Sequence, residues 1–83
     1  MKKITVYTME QCPFCEAAKK LFSGKGWPYE EVLLSMDDDA AWADLERRTK
    51  FKTMPLVFIG DRFCGGYNDI KALDAKVELD ELV

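Results

Sequence analysis

Apolar residues recur along the chain in two different spacings, and these spacings predict its first elements. Ile4–Thr8 alternates apolar with polar positions and is rich in β-branched and aromatic residues, which is typical of a strand. From Phe14 onward the apolar positions return every three or four residues, the spacing of one helix face, and Gly24 and Gly26 favour an end to that helix. The chain is therefore predicted to begin with a strand and a helix that starts near Cys12.

The middle of the chain repeats this order and then changes it. Tyr29–Leu34 predicts a second strand, and the carboxylates of Asp37–Asp39 suit the N-terminus of a second helix, where the helix dipole is positive. Leu56–Ile59 is wholly apolar, as a strand buried on both faces is. The Gly60-Asp61 pair then predicts a hairpin turn into a short strand at Arg62–Cys64.

A third helix is predicted near the end, with Ile70, Leu73 and Val77 on its apolar face. The element order is then β-α-β-α-β-β-α. A helical crossover joins the first two strands, so they should be parallel and right-handed, whereas the last two should form an antiparallel hairpin. We therefore predict an α/β fold, with a four-stranded mixed sheet flanked by three helices, as one domain over residues 1–83.

Composition and charge exclude several classes of function. Lys and Arg number 12 against 15 Asp and Glu, a net charge of −3, so a nucleic-acid-binding surface is not expected. No apolar run approaches the roughly 18 residues of a membrane span, and the first nine residues are too short and polar for a secretory signal. The absence of histidine excludes Ser-His and Cys-His nucleophiles. With three cysteines, too few for a disulfide framework, we expect a cytoplasmic protein with no nucleic-acid or membrane partner.

The most specific chemical signal is Cys12-Pro13-Phe14-Cys15, at the junction of the first strand and helix. Spacing of three residues brings both sulfurs to one face of the first turn, where they can form a disulfide. The helix N-terminus favours a thiolate at Cys12, and Pro13 suits the first helical position. Cys12 is predicted to attack a substrate disulfide, and the deeper Cys15 to resolve the mixed disulfide.

Zinc binding is the alternative interpretation of the cysteines. A structural zinc site needs four ligands, and a chain with Cys12, Cys15, Cys64 and no histidine would have to complete it with a carboxylate. We therefore predict no metal site. Cys64 is predicted to be a small buried strand residue, with a regulatory thiol as the alternative.

Three motifs together resemble the dithiol glutaredoxins, and the likeness covers nearly the whole chain. They are Cys12–Cys15 after the first strand, Thr53–Pro55 before the third, and Gly65–Asp69 after the fourth. The resemblance implies the thioredoxin fold and an enzyme that reduces protein disulfides and glutathione mixed disulfides. It also implies glutathione as co-substrate with no bound cofactor, and disulfide-containing proteins as further partners. We expect the protein to be a monomer.

The resemblance also implies roles for the residues around the cysteine pair. Pro55 is similar to the cis-proline that faces the two cysteines in this family, and Met54 to the residue whose main chain pairs with a thiol substrate. Tyr67, Asn68 and Asp69 lie where the family holds the γ-glutamyl end of glutathione. The residues implied to bind substrate or glutathione are Pro13, Phe14, Lys52, Thr53, Met54, Pro55, Gly66, Tyr67, Asn68 and Asp69.

Met9 and Phe51 are among the positions that depart from the family pattern. Met9 stands where many glutaredoxins have lysine, and Phe51 where a glutamine or arginine often contacts the glycine carboxylate of glutathione. Lys52 and Arg48 could substitute in part. The departures favour a second hypothesis, a glutaredoxin-like electron donor, for example to ribonucleotide reductase, that is reduced by thioredoxin reductase.

A third hypothesis belongs to a different class, an iron–sulfur cluster carrier. Its cluster would be bridged by two chains through Cys12 and bound glutathione. Pro13 and the resolving Cys15 count against it, because family members that carry clusters often lack one or the other.

Overall fold

In the computed structural model, which describes residues 2–83, four strands and four helices follow one another along the chain. The strands are β1 (Ile4–Met9), β2 (Glu30–Leu34), β3 (Leu56–Ile59) and β4 (Arg62–Gly65). The helices are α1 (Pro13–Gly24), α2 (Asp39–Thr49), α3 (Tyr67–Ala75) and α4 (Leu79–Leu82).

The strands form one mixed sheet in the order β2-β1-β3-β4. β1 is parallel to β2, with Val6 opposite Glu31, and antiparallel to β3, with Val6 opposite Val57. β3 and β4 form an antiparallel hairpin. The four-stranded mixed sheet is confirmed, and it puts the C-terminal end of β1 beside the segment that precedes β3.

Each face of the sheet carries its own apolar cluster, because β3 is central and alternates its side chains between the two faces. Val57 and Ile59 pack in the first cluster with Phe22 of α1 and Ile70 of α3. The second cluster holds Leu56, Phe58, Leu45 and both cysteines of the Cys12–Cys15 motif. The uniform burial predicted for β3 is confirmed. Cys12 and Cys15 are buried within the second cluster and do not lie on an exposed loop.

Local capping explains where α1 and α2 begin. Cys12 caps α1, and Pro13 occupies its first turn. Proline suits this position because it lacks a main-chain N–H, and an N–H in the first turn would have no partner within the helix. Asp38 caps α2 through a hydrogen bond that the Ala41 N–H donates to Oδ1, 3.2 Å long. The acidic run therefore serves as a helix cap, as predicted.

The C-terminal end differs from the prediction at Val77. α3 ends at Ala75, and Val77 lies outside it, 64% exposed and with φ of +61°. The Glu78 N–H donates to the Leu73 carbonyl and the Val77 N–H to the Asp74 carbonyl, the bonding of a Schellman motif. This closure turns Val77 away from the core, so its predicted place on the apolar face of the third helix was wrong.

A fourth, one-turn helix follows this turn and was not predicted. Its Leu79 is fully buried in the first cluster, so α4 supplies the apolar contact that the sequence pattern had assigned to Val77. The predicted element order holds as far as α3, and the chain then adds one short helix.

Val77 is expected to cost stability, because a β-branched side chain is strained at positive φ and glycine is not. We expect Val77→Gly to raise the free energy of unfolding by about 1 kcal/mol. Val77→Ala, which keeps a Cβ at the same φ, is the matched control and should gain less. Urea unfolding of the three proteins tests this, and a glycine variant no more stable than the wild type would contradict it.

Candidate active site

Cys12 and Cys15 form a disulfide across the start of α1. Their Cα atoms are 5.2 Å apart, and the Cys15 N–H points at Cys12 Sγ at 3.3 Å. Cys12 is 7% exposed and Cys15 1%, so the helix cap is the more accessible of the two residues. A thiolate on Cys12 would accept the Cys15 N–H and face the positive end of the α1 dipole, which stabilises negative charge there.

The segment before β3 lies against this pair. The Met54–Pro55 peptide bond is cis, as the resemblance implies, and the Met54 carbonyl oxygen lies 3.8 Å from Cys12 Sγ. In the disulfide this sulfur has no proton, so the contact is one of packing; a reduced thiol could donate to the same oxygen. Met54 is itself buried, at 6% exposure, which fixes its main chain beside the redox pair.

A groove of about 250 Å³ lies along this segment, and its lining includes neither Cys12 nor Cys15. It is lined by Phe14, Phe51, Thr53, Met54, Pro55, Gly66, Tyr67, Asn68 and Asp69. The groove therefore brings together the start of α1, the segment before β3 and the start of α3. Gly66 allows the close approach, because a Cβ there would lie 3.3 Å from the Pro55 carbonyl oxygen.

Eight of the ten residues implied by the resemblance line this groove, and two do not. Pro13 is exposed at the start of α1 and lies outside the lining. Lys52 lines a smaller neighbouring pocket instead, and its Nζ is 3.6 Å from Glu46 Oε1. Met9 is also absent from the lining and packs half-buried against the second cluster.

Three aromatic side chains, Phe14, Phe51 and Tyr67, border the groove. The Phe14 and Tyr67 rings pair with centroids 6.1 Å apart. Phe51 packs edge-on against Phe63, 5.1 Å between centroids. Phe51, named above only as a departure from the family pattern, thus borders the groove.

Asp69 is the one charged residue among those that line the groove. Its Oδ2 accepts the Gly66 N–H at 3.0 Å, so Asp69 helps to cap α3. Arg48 does not reach the groove: its guanidinium lies over the Phe58 ring at 5.5 Å and 3.6 Å from Asp44. The groove thus has no lysine or arginine in its lining.

A charge network lies on α1 one turn beyond Cys15. Lys19 Nζ contacts Glu16 at 2.8 Å and Glu31 at 3.0 Å, and the Thr8 hydroxyl donates to Glu31 at 2.7 Å. The hydrogen bonds to Glu16 and then to Glu31 raise the pKa of Lys19, while the Thr8 hydroxyl and then Lys19 lower the pKa of Glu31. Lys19 is therefore held as a cation between two carboxylates, which reduces its electrostatic effect on the cysteines.

Cys64 is half-buried, where a buried residue was predicted. It borders a separate cavity between β4 and α3, lined also by Arg62, Leu73 and Lys76. Burial raises the pKa of the Cys64 thiol, and the nearby Arg62 offsets part of this rise. A thiol with a raised pKa is a poor nucleophile at neutral pH, so Cys64 does not compete with Cys12.

Two further findings concern metal and membrane. Within residues 2–83, no group of three or more Cys, Asp or Glu side chains is arranged to hold a metal ion. None of the helices described is long and apolar enough to cross a bilayer.

A family model described as glutaredoxin matches residues 4–64. Glutaredoxin 3 of Escherichia coli K12 is 39% identical over 84 residues, which cover 100% of this chain and 99% of that protein. A probable glutaredoxin of Synechocystis is 38% identical over 98% of this chain and 92% of its own length. The crystal structure of a buckwheat glutaredoxin–glutathione complex matches 98% of this chain and 76% of that one, with a TM-score of 0.90 and 29% identity.

Proposed function

The chain belongs to the glutaredoxin family of thiol-disulfide oxidoreductases and has their thioredoxin-like fold. We propose that it reduces protein disulfides and glutathione mixed disulfides, with glutathione as the reductant. The observation that carries the proposal is the Cys12–Cys15 disulfide at the start of α1, next to the main chain of Met54 and the groove. Residues 1–83 act as one domain and one monomer in this proposal, in the cytoplasm, where glutathione keeps thiols reduced.

The first chemical step belongs to Cys12. Its thiolate attacks one sulfur of the substrate disulfide, the substrate S–S bond breaks, and the leaving sulfur takes the electron pair and then a proton. The Cys15 N–H, 3.3 Å from Cys12 Sγ, and the helix N-terminus hold the attacking charge. Cys12 is the residue for this step because it is the more accessible of the pair.

The second step belongs to Cys15. Its sulfur attacks Cys12 Sγ in the mixed disulfide and releases the second substrate thiol, so two electrons have passed from the dithiol to the substrate. The product is the Cys12–Cys15 disulfide, the state seen in the structure. The Cα atoms of the pair are 5.2 Å apart, within the ordinary range for a disulfide.

Glutathione then restores the dithiol. One glutathione thiolate opens the Cys12–Cys15 disulfide at Cys12, and a second releases glutathione disulfide. Support for glutathione comes from the buckwheat relative, whose structure was determined as a glutathione complex. The first-turn N–H groups of α3 border the groove and suit one carboxylate of such a tripeptide.

A second candidate function is electron donation with thioredoxin reductase as the reductant. It is favoured by one observation, the absence of lysine and arginine from the groove lining, because glutathione carries two carboxylates. This candidate shares the same dithiol chemistry and differs only in the source of electrons.

A coupled assay separates the two candidates. NADPH oxidation is followed with a glutathione mixed disulfide as substrate, in one arm with glutathione and glutathione reductase and in the other with thioredoxin reductase. The proposal predicts protein-dependent turnover in the glutathione arm that exceeds the other arm by at least about tenfold. Turnover in the thioredoxin reductase arm alone would overturn the glutathione proposal and establish the second candidate.

A further inference from the structure

We propose that the cavity between β4 and α3 binds a small organic anion, a molecule with a compact apolar body and one negatively charged group such as a carboxylate. The cavity has a volume of about 300 Å³ and is called the β4–α3 cavity below. Neither Cys12 nor Cys15 lines it, so the proposal does not depend on the proposed function. The lining residues that carry the argument are Arg62, Cys64, Asp69, Leu73, Lys76 and Leu82.

The first argument is the charge of the lining. Arg62 and Lys76 are both exposed, and neither forms an ion pair with another residue of the described chain. Asp69 is the one carboxylate of the lining, and its Oδ2 already accepts the Gly66 N–H. The cavity is therefore net positive on a chain whose net charge is −3, and it attracts an anion.

The two cations do not contribute equally. Burial raises the pKa of the Cys64 thiol and the Arg62 cation lowers it again in part, so the guanidinium lies close enough to stabilise negative charge at the cavity wall. Lys76 is the C-cap residue of α3, where its charge is partly offset by the negative end of the helix dipole. We therefore expect Arg62 to be the stronger of the two anion partners.

The second argument is an apolar wall inside the cavity. Cys64, Leu73 and Leu82 come from β4, α3 and α4, and all three pack against the first cluster while they stay partly exposed. The core holds these side chains from behind, so the wall is formed before a ligand arrives. A ligand that covers the wall removes its surface from water, which favours binding in proportion to the area buried.

Charge and apolar surface together define the class of ligand. The cationic side chains are exposed to solvent, whereas the apolar wall is half-buried, so an amphipathic ligand places its charged group outward and its body inward. A volume of about 300 Å³ is at the lower end of small-molecule sites. A single inorganic ion would leave the apolar wall uncovered, and the cavity therefore favours a small organic anion.

The test is a titration of the oxidised, nitrogen-15-labelled protein with three probes. Phenylacetate carries a charge and an apolar body, acetate carries the charge alone, and phenylacetamide carries the body alone. The main-chain amide NMR signals of Cys64 and Leu73 report binding at probe concentrations of about 1–10 mM. Phenylacetate should bind at least about fivefold more tightly than either of the other probes.

Three variants locate the bound anion. At low salt, Arg62→Gln should weaken phenylacetate binding about fivefold and Lys76→Gln about twofold, with smaller effects at high salt. Lys71→Gln is the matched control, because it removes the same charge from an exposed residue of α3 outside the lining, and it should leave the affinity unchanged. Unchanged amide signals of Val57 and Ile59 in the first cluster show that each variant keeps its fold.

Alkylation of Cys64 gives a second measurement. In the oxidised protein Cys64 is the one thiol among the three cysteines. Anionic iodoacetate and neutral iodoacetamide attack the same thiolate, so the ratio of their rates is independent of the thiol pKa and reports the attraction of the cavity for an anion. This ratio should be about threefold higher in the folded protein than in urea, and Arg62→Gln should lower it in the folded protein.

Several outcomes would overturn the proposal. Acetate or phenylacetamide could bind as tightly as phenylacetate, or Arg62→Gln and Lys71→Gln could weaken binding equally. Phenylacetate could shift only the signals of residues in the groove, or the alkylation ratio could be the same in folded and unfolded protein. Each of these results would leave the oxidoreductase function standing, and failure of the coupled assay would leave the β4–α3 cavity proposal standing.

Discussion

Replacement of Cys12 by serine is expected to abolish turnover on every disulfide substrate, a loss of about a thousandfold or more. A serine hydroxyl is not ionised at neutral pH and forms no stable bond to sulfur, so the first mixed disulfide cannot form. The chain has no histidine, and Cys64 is half-buried with a raised pKa, so no other side chain replaces the nucleophile. The coupled glutathione assay measures this loss.

Cys64→Ser is the matched control for that experiment, because it removes the third thiol and leaves the groove untouched. We expect the control to keep activity within about twofold of the wild type. Protein-dependent turnover in Cys12→Ser, or its disappearance in Cys64→Ser, would show that the nucleophile has been assigned to the wrong cysteine.

Replacement of Cys15 by serine is expected to affect the reduction of protein disulfides much more than the reduction of glutathione mixed disulfides. Reduction of glutathione mixed disulfides needs only Cys12 and an external thiol, so the variant should stay within about tenfold of the wild type on these substrates. Reduction of protein disulfides needs the internal attack by Cys15 and should fall at least about a hundredfold, because an external thiol lacks the proximity of a residue one helical turn away. The measurement is the ratio of the two rates for variant and wild type.

The same ratio provides the control. Cys64→Ser should leave it unchanged, since Cys64 lies in a separate cavity between β4 and α3. If Cys15→Ser lowered both rates equally, Cys15 would act in the first step or in folding rather than in resolution.

Local patterns in the sequence predicted most of the elements because those elements depend on neighbouring residues. The alternation in Ile4–Thr8 and the apolar run of Leu56–Ile59 correspond to β1 and β3, and the acidic run caps α2. The prediction for Val77 was wrong because its spacing from Ile70 continues a helical face. The turn that ends α3 is closed by hydrogen bonds to the Leu73 and Asp74 carbonyls, and its positive-φ position holds Val77 rather than the glycine that usually marks such a turn in a sequence.

The site could be predicted from the sequence only in part. The Cys12–Cys15 pair and its place at a helix start follow from spacing alone. The groove does not, because it joins three segments that the sheet order brings together over long distances in sequence. In the segment before β3, neighbouring residues face different pockets, so Phe51 borders the groove while Lys52 faces Glu46, and no local pattern indicates which.

The measurement that tests the central claim most directly is peptide mapping of the mixed disulfide in Cys15→Ser. The reduced variant is treated with glutathione disulfide, digested without reduction, and searched by mass spectrometry for the glutathione-bearing peptide. The account predicts one glutathione per chain, on the peptide that contains Cys12, while the wild type treated in the same way ends with the Cys12–Cys15 disulfide and no adduct. Glutathione on the Cys64 peptide with Cys12 unmodified would contradict it.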